Sequence, residues 1–137
     1  MDALGRLFNV LPVADDVYVG LKDCRGVTFV GVLTTGDTWT LTEATDAAGT
    51  GAQVLATIDK SHVSATVGAA WVKQTHAAVS AVTTTSSQDV IVIEVDGAEL
   101  SDTYDWVKLT STSTGIVIAI TRDLNVQRTP ANLPAMV

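Results

Sequence analysis

The side chains that could do chemistry in this chain are two histidines, His62 and His76, one cysteine, Cys24, and fifteen carboxylates. Nucleophilic catalysis needs a nucleophile, a base within hydrogen-bond reach and a group that orients the base. Neither histidine sits in such a motif, and no Gly-x-Ser-x-Gly elbow occurs. Both are expected to be exposed or hydrogen-bonded residues of loops and strand ends. Two histidines with one remote cysteine fall short of a structural zinc set. Cys24 has no partner for an intrachain disulfide. Arg25 beside it would lower its pKa, but no motif marks a nucleophile, so a packed, idle thiol is expected.

The carboxylates gather at Asp15-Asp16 and at Asp96, Glu99, Asp102 and Asp105. A calcium loop needs oxygen ligands at alternating positions around a glycine and a bidentate acid at its end. The stretch Asp96 to Asp102 lacks that spacing, so turn and cap duty is expected there. A glycosidase pair need only meet in space, but nothing in the sequence marks one. Gly49-Thr50-Gly51 lacks the lysine of a Walker motif and the third glycine of a dinucleotide fingerprint. Trp39, Trp71 and Trp106 lie beside apolar neighbours, and core packing is expected for all three. The sequence therefore assigns no catalytic, cofactor-binding or metal residue, and the chain is read as a non-enzyme.

The elements that would position these residues are strands. Val17 to Leu21, Val27 to Leu33 and Thr38 to Glu43 are separated by turn chemistry at Asp23 to Gly26 and Thr34 to Asp37. Thr38 to Glu43 alternates strictly, with three threonines on one side and Trp39 and Leu41 on the other. That is the mark of a strand with one wet face. Ala44 to Ala52 reads as a small-residue loop, and Gln53 to Ile58 as a strand. Trp71 to Lys73 and Ala77 to Thr83 read as a strand pair joined near Gln74 to His76; Asp59 to Gly68 is the least readable stretch. Val90 to Val95, Trp106 to Thr110 and Gly115 to Ile120 complete the set. The first and last of these are apolar on both faces, which requires cover on both sides.

Leu4, Leu7, Phe8 and Leu11 have the spacing of one or two helical turns, kept short by Gly5 and Pro12. In the last stretch, Pro130 and Pro134 bias the residues before them to extended backbone. Its apolar residues would rather lie on a surface than in water. Thr129, Pro130, Leu133, Pro134, Met136 and Val137 are the candidate interaction arm. The fold expected is all-β, a single β-sandwich or barrel-like domain over residues 17–123. An N-terminal arm with a helical turn (1–16) and an extended C-terminal arm (124–137) flank it.

Composition points the same way. The 137 residues suffice for one domain, with 47% hydrophobic and only 17% charged residues. That is a sticky balance for a solitary soluble domain. A net charge of −7, with the eight basic residues scattered singly, disfavours phosphate backbones, so no nucleic-acid partner is expected. No apolar run approaches membrane-spanning length, and the apolar segment Leu7 to Ala14 is a poor signal peptide, interrupted by Asn9 and Pro12. A cytoplasm, or something assembled in one, is the expected compartment.

Four stretches carry a resemblance: Leu4 to Asn9, Thr40 to Ala44, Leu100 to Lys108 and Asp123 to Leu133. The last, Asp-Leu-Asn-Val-Gln-Arg-Thr-Pro-Ala-Asn-Leu, is the most specific. Together they resemble a family of small virion proteins of tailed bacteriophages, chiefly those infecting actinobacteria, that accompany the major capsid protein; residues 59–88 add little. The resemblance implies a capsid decoration or minor capsid protein with no catalytic residues and no cofactor. Its partners would be the major capsid protein and itself, as a dimer or trimer, on the capsid exterior after assembly in the host cytoplasm. A tail or head-fibre component and a carbohydrate-binding β-module are the competing expectations. The first would show repeats or an elongated region, the second tryptophans lining one face.

Overall fold

Val, Ile and Thr suit a pleated, half-buried surface because Cβ branching restricts χ1 in a helix but not in a strand. The computed structural model describes residues 8–11, 13–66 and 68–125, and these are almost entirely strand and turn. Eleven strands run in chain order among them: β1 (Phe8–Leu11), β2 (Val19–Gly20), β3 (Gly26–Val32), β4 (Thr38–Ala44), β5 (Gln53–Val54), β6 (Ile58–Ser64), β7 (Val72–Val79), β8 (Ala81–Thr83), β9 (Val90–Asp96), β10 (Trp106–Ser111) and β11 (Ile116–Arg122). A single 3₁₀ turn, Gly97–Glu99, follows β9.

The strands form two antiparallel sheets. One holds six strands in the order β1-β11-β3-β9-β6-β7; the other is ordered β2-β10-β4-β5, with β8 also paired to β4. The chain changes sheet at most of its turns, including those between β3 and β4, β8 and β9, and β10 and β11. Most hydrogen-bonded neighbours are therefore distant in sequence. The all-β, two-sheet expectation holds.

The core lies between the sheets. Val27, Phe29, Ile91, Ile93, Val95, Val117 and Ala119 project from the six-stranded sheet, and Val19, Trp39, Leu41, Val107 and Leu109 from the other; all are buried. Trp39 fills the centre by using room that two glycines leave. A Cβ on Gly31 would stand 2.5 Å from its ring, and one on Gly115 would stand 2.8 Å away. The indole Nε1–H donates to Thr84 Oγ1 at 3.2 Å, so burial leaves no polar atom of the ring unpaired.

Three expectations are corrected. Phe8–Leu11 is not helical: it pairs with β11 in the register Val10 to Ile120. A stretch this short cannot recover the cost of helix nucleation, whereas a ready-made strand edge orders it directly. Gln74 to His76 is not a turn: Gln74 and Thr75 pair with Ser61 and Lys60, and β7 continues to Val79 on β6 through a register irregularity opposite Ile58–Lys60. Of the three tryptophans only Trp39 is in the core: Trp71 is 54% exposed, and Trp106 is half-buried on the side of β10 opposite Val107 and Leu109. Leu4, Leu7 and the candidate arm residues Thr129, Pro130, Leu133, Pro134, Met136 and Val137 lie outside the described residues.

Candidate docking surface

Several of the groups that chemistry would need are engaged in holding the fold. Glu43 continues the inward parity of Trp39 and Leu41 on β4 and is 1% exposed. Its Oε1 accepts from Gln53 Nε2 and Ser101 Oγ, each at 2.6 Å, and its Oε2 from the Ser101 N–H at 2.9 Å. Asp15 accepts from the Ser111 N–H (2.9 Å) and hydroxyl (2.6 Å), tying the segment before β2 to β10. Asp96 and Glu99 form a reciprocal capping box on the 3₁₀ turn, the cap duty expected of that acidic group. Asp96 also lies 3.5 Å from Arg25 and 3.6 Å from Arg122. Among the described residues no group of three or more His, Cys, Asp or Glu side chains is arranged to hold a metal ion.

Among the described residues the nearest approach to a catalytic pair is Ser61 Oγ, 2.8 Å from His76 Nε2 and 3.2 Å from Gln74 Oε1. Ser61 is 1% exposed, so its oxygen cannot reach a substrate, and the trio reads as satisfaction of a buried hydroxyl. His62 and His76 both lie within strands, β6 and β7, rather than in loops or at strand ends. Cys24 is buried, and that burial pushes its thiol up to about 11, leaving it protonated and inert at neutral pH.

Several surface carboxylates are held below the ordinary value of 3.8. The Lys108 hydrogen bond does this for Asp16, hydrogen bonds from Thr50 for Asp46, and the Ala98 N–H for Asp96. On Lys108 itself burial opposes the charge, but Asp16 and the Tyr18 ring, 4.6 Å away, outweigh it and raise its pKa. Each of the three acids is more acidic folded than unfolded. Their contribution is therefore complete above the unfolded value and is lost as pH falls through the folded values. The thermal midpoint is expected to stay level from about pH 7 to about pH 5 and to fall below about pH 4. Added salt should blunt the part due to Asp16. A midpoint constant down to about pH 2 in circular-dichroism melts would contradict this linkage.

What distinguishes the molecule is the difference between its two outer surfaces. On the five-stranded sheet the outward row of β4 is Thr38, Thr40 and Thr42, set beside Thr110 and Lys108 of β10, with one exposed apolar residue, Val54 of β5, paired to Thr42. On the six-stranded sheet the register aligns Ile118, Val30, Val92 and His62 across four strands. A second row carries Val10, Ile120, Thr28 and Glu94. A third carries Ile116, Val32 and Val90. Ile116 is 64% exposed and Val10 39%. Val30, Val32, Val90 and Val92, with Trp71 at the rim, also line an apolar hollow of about 260 Å³.

β11 and the first half of β9 are thus apolar on both sides, and of their outer apolar side chains only Val90 is buried within the chain; Glu94 ends the apolar run on β9. A contiguous apolar patch rimmed by polar residues is the usual signature of an interaction surface. The tryptophans do not make a shared platform: Trp39 is internal, Trp106 opens the five-stranded sheet's β10, and Trp71 precedes β7 of the other sheet. No family model, curated protein or solved structure matches the chain.

Proposed function

We propose that the protein is a virion structural component of a tailed bacteriophage, a capsid decoration protein that binds the outer surface of the major capsid shell and works without catalysis. The observation that supports this is the asymmetry between the apolar outer face of the six-stranded sheet and the threonine-rich face opposite. One side suits burial against a large protein surface and the other suits water. The sequence resemblance to phage proteins that accompany the major capsid protein supports the same role. The net charge of −7 favours the exterior over a lining that would face packaged DNA. Among the described residues no helix is long and apolar enough to cross a membrane. A carbohydrate-binding role is less well supported, because the tryptophans share no exposed face.

The test is co-sedimentation with shells assembled from the major capsid protein of the same phage. The wild-type chain is expected to pellet with shells. Ile116→Glu places a charge at a position already 64% exposed, so it should leave the melting temperature unchanged. At a desolvated contact that charge should weaken shell binding by about tenfold or more. Wild-type protein that stays in the supernatant would refute the role; equal binding by Ile116→Glu would refute the face.

A further inference from the structure

The apolar hollow of about 260 Å³ is lined by Val30 and Val32 of β3, by Val90 and Val92 of β9, and by Thr66 and Trp71 from the connection between β6 and β7. The Ser64 hydroxyl at its margin donates to the Thr66 carbonyl at 2.7 Å, so it is occupied within the chain. Small-molecule sites run to about 300–1,000 Å³ and carry several convergent polar groups. A smaller hollow with four valines suits a single apolar side chain instead. Trp71 stands beside it and is the only aromatic among the exposed large apolar residues of the described chain. Tryptophan is enriched where a few residues carry most of an interface's binding energy.

Lys73 adds a charge to the same place. It pairs in register with His62, which pairs with Val92, so the cation ends the row that crosses the hollow. Among the described residues Arg25, Lys60, Lys108 and Arg122 each have an ion pair within the chain. Lys73 has none. Neither has Lys22, but it lines a different hollow, beside Leu21 and Tyr104. An unpaired cation next to an apolar hollow complements an apolar side chain that travels with a carboxylate.

A second copy of the chain does not offer that combination. Its exposed large apolar residues are Val10, Val54, Trp71, Val72 and Ile116. None of the five has an Asp or Glu within two positions in sequence. The occupant is therefore a different protein.

We propose that this hollow is the anchor of the docking face: it receives one aliphatic or aromatic side chain of the major capsid protein, flanked by Trp71, while a neighbouring carboxylate of that protein meets Lys73. This rests on the shell-binding role and names the partner chemistry that the face selects.

Co-sedimentation of full-length variants with shells of the same phage's major capsid protein tests it. Trp71→Ala removes the flanking ring at an exposed position, and Val92→Phe fills the hollow from within. Each should weaken binding by about tenfold or more. Lys73→Glu should weaken it by about fivefold, whereas Lys22→Glu, the same change in net charge, should leave it as in wild type. Val54→Glu, on the opposite sheet, should also bind as wild type does. Trp71 emission, taken as the difference between wild type and Trp71→Phe, should shift to the blue when shells are added. If Trp71→Ala and Val92→Phe both pellet like wild type while Ile116→Glu does not, the face stands and the anchor is overturned. Equal losses in Lys73→Glu and Lys22→Glu would overturn the carboxylate contact. Wild-type protein left in the supernatant would remove the shell-binding role and the anchor together.

Discussion

Replacing Trp39 by alanine is expected to destabilise the protein by about 3–5 kcal/mol, the largest effect of any single substitution considered. The indole is 1% exposed and bridges the two sheets at the positions where Gly31 and Gly115 leave room for it. Truncation removes the largest apolar side chain of the core. It also creates a void that neighbouring β-strands, held by their ladders, can only partly close. A domain of ordinary stability holds about 5–15 kcal/mol, so the variant would be marginal. Trp39→Phe should cost less, because it keeps most of the ring and loses the bond to Thr84. Gly31→Ala should destabilise through overpacking, by about 1–3 kcal/mol, since its Cβ would lie 2.5 Å from the Trp39 ring. The Gly31 and Trp39 effects should be non-additive, as expected for side chains in direct contact. Urea unfolding of the three variants and of the Gly31→Ala/Trp39→Ala double variant checks this. A Trp39→Ala cost below about 1 kcal/mol would mean the ring is not the keystone of the packing.

The second large effect is expected at Glu43. Glu43→Ala should cost about 2–4 kcal/mol, because it leaves the Ser101 N–H without an acceptor and opens a hole beneath β4. Glu43→Gln is expected to be far milder. One amide oxygen can serve the Ser101 N–H, and the Gln53 amide and the Ser101 hydroxyl can both reverse roles to meet the new NH₂ group. Equal losses in the two variants, by urea unfolding at neutral pH, would show that the negative charge matters here rather than hydrogen-bond satisfaction.

Much of the fold was legible in local pattern. β4 is the clearest case: the alternation of Thr38 to Glu43 predicts which side chains face water, and its parity also puts Glu43 beside Trp39 and Leu41, a burial that its charge alone would argue against. β9 and β11 announced themselves as strands apolar on both faces, and the cap role of the Asp96 group followed from turn chemistry. The short segment Phe8–Leu11 and the run Gln74 to His76 depart from what local pattern predicts because their conformation is imposed by partners. β11 supplies an edge for the one and β6 for the other. Those partners lie outside any local window, and for β1 more than a hundred residues away.

Residue order alone therefore determined that this is an all-β domain with greasy strands, no catalytic motif and a proline-spaced terminal strip. Only the tertiary structure decided which apolar residues are sealed and which remain outside. Side-chain alternation fixes two faces per strand, but burial of a face depends on which sheet the strand joins and what stacks on it. Trp39 and Trp71 look alike in sequence, yet one is enclosed between two sheets and the other stands at a rim. Ile118, Val30 and Val92 come from three separated strands, and hydrogen-bond register alone brings them into one row.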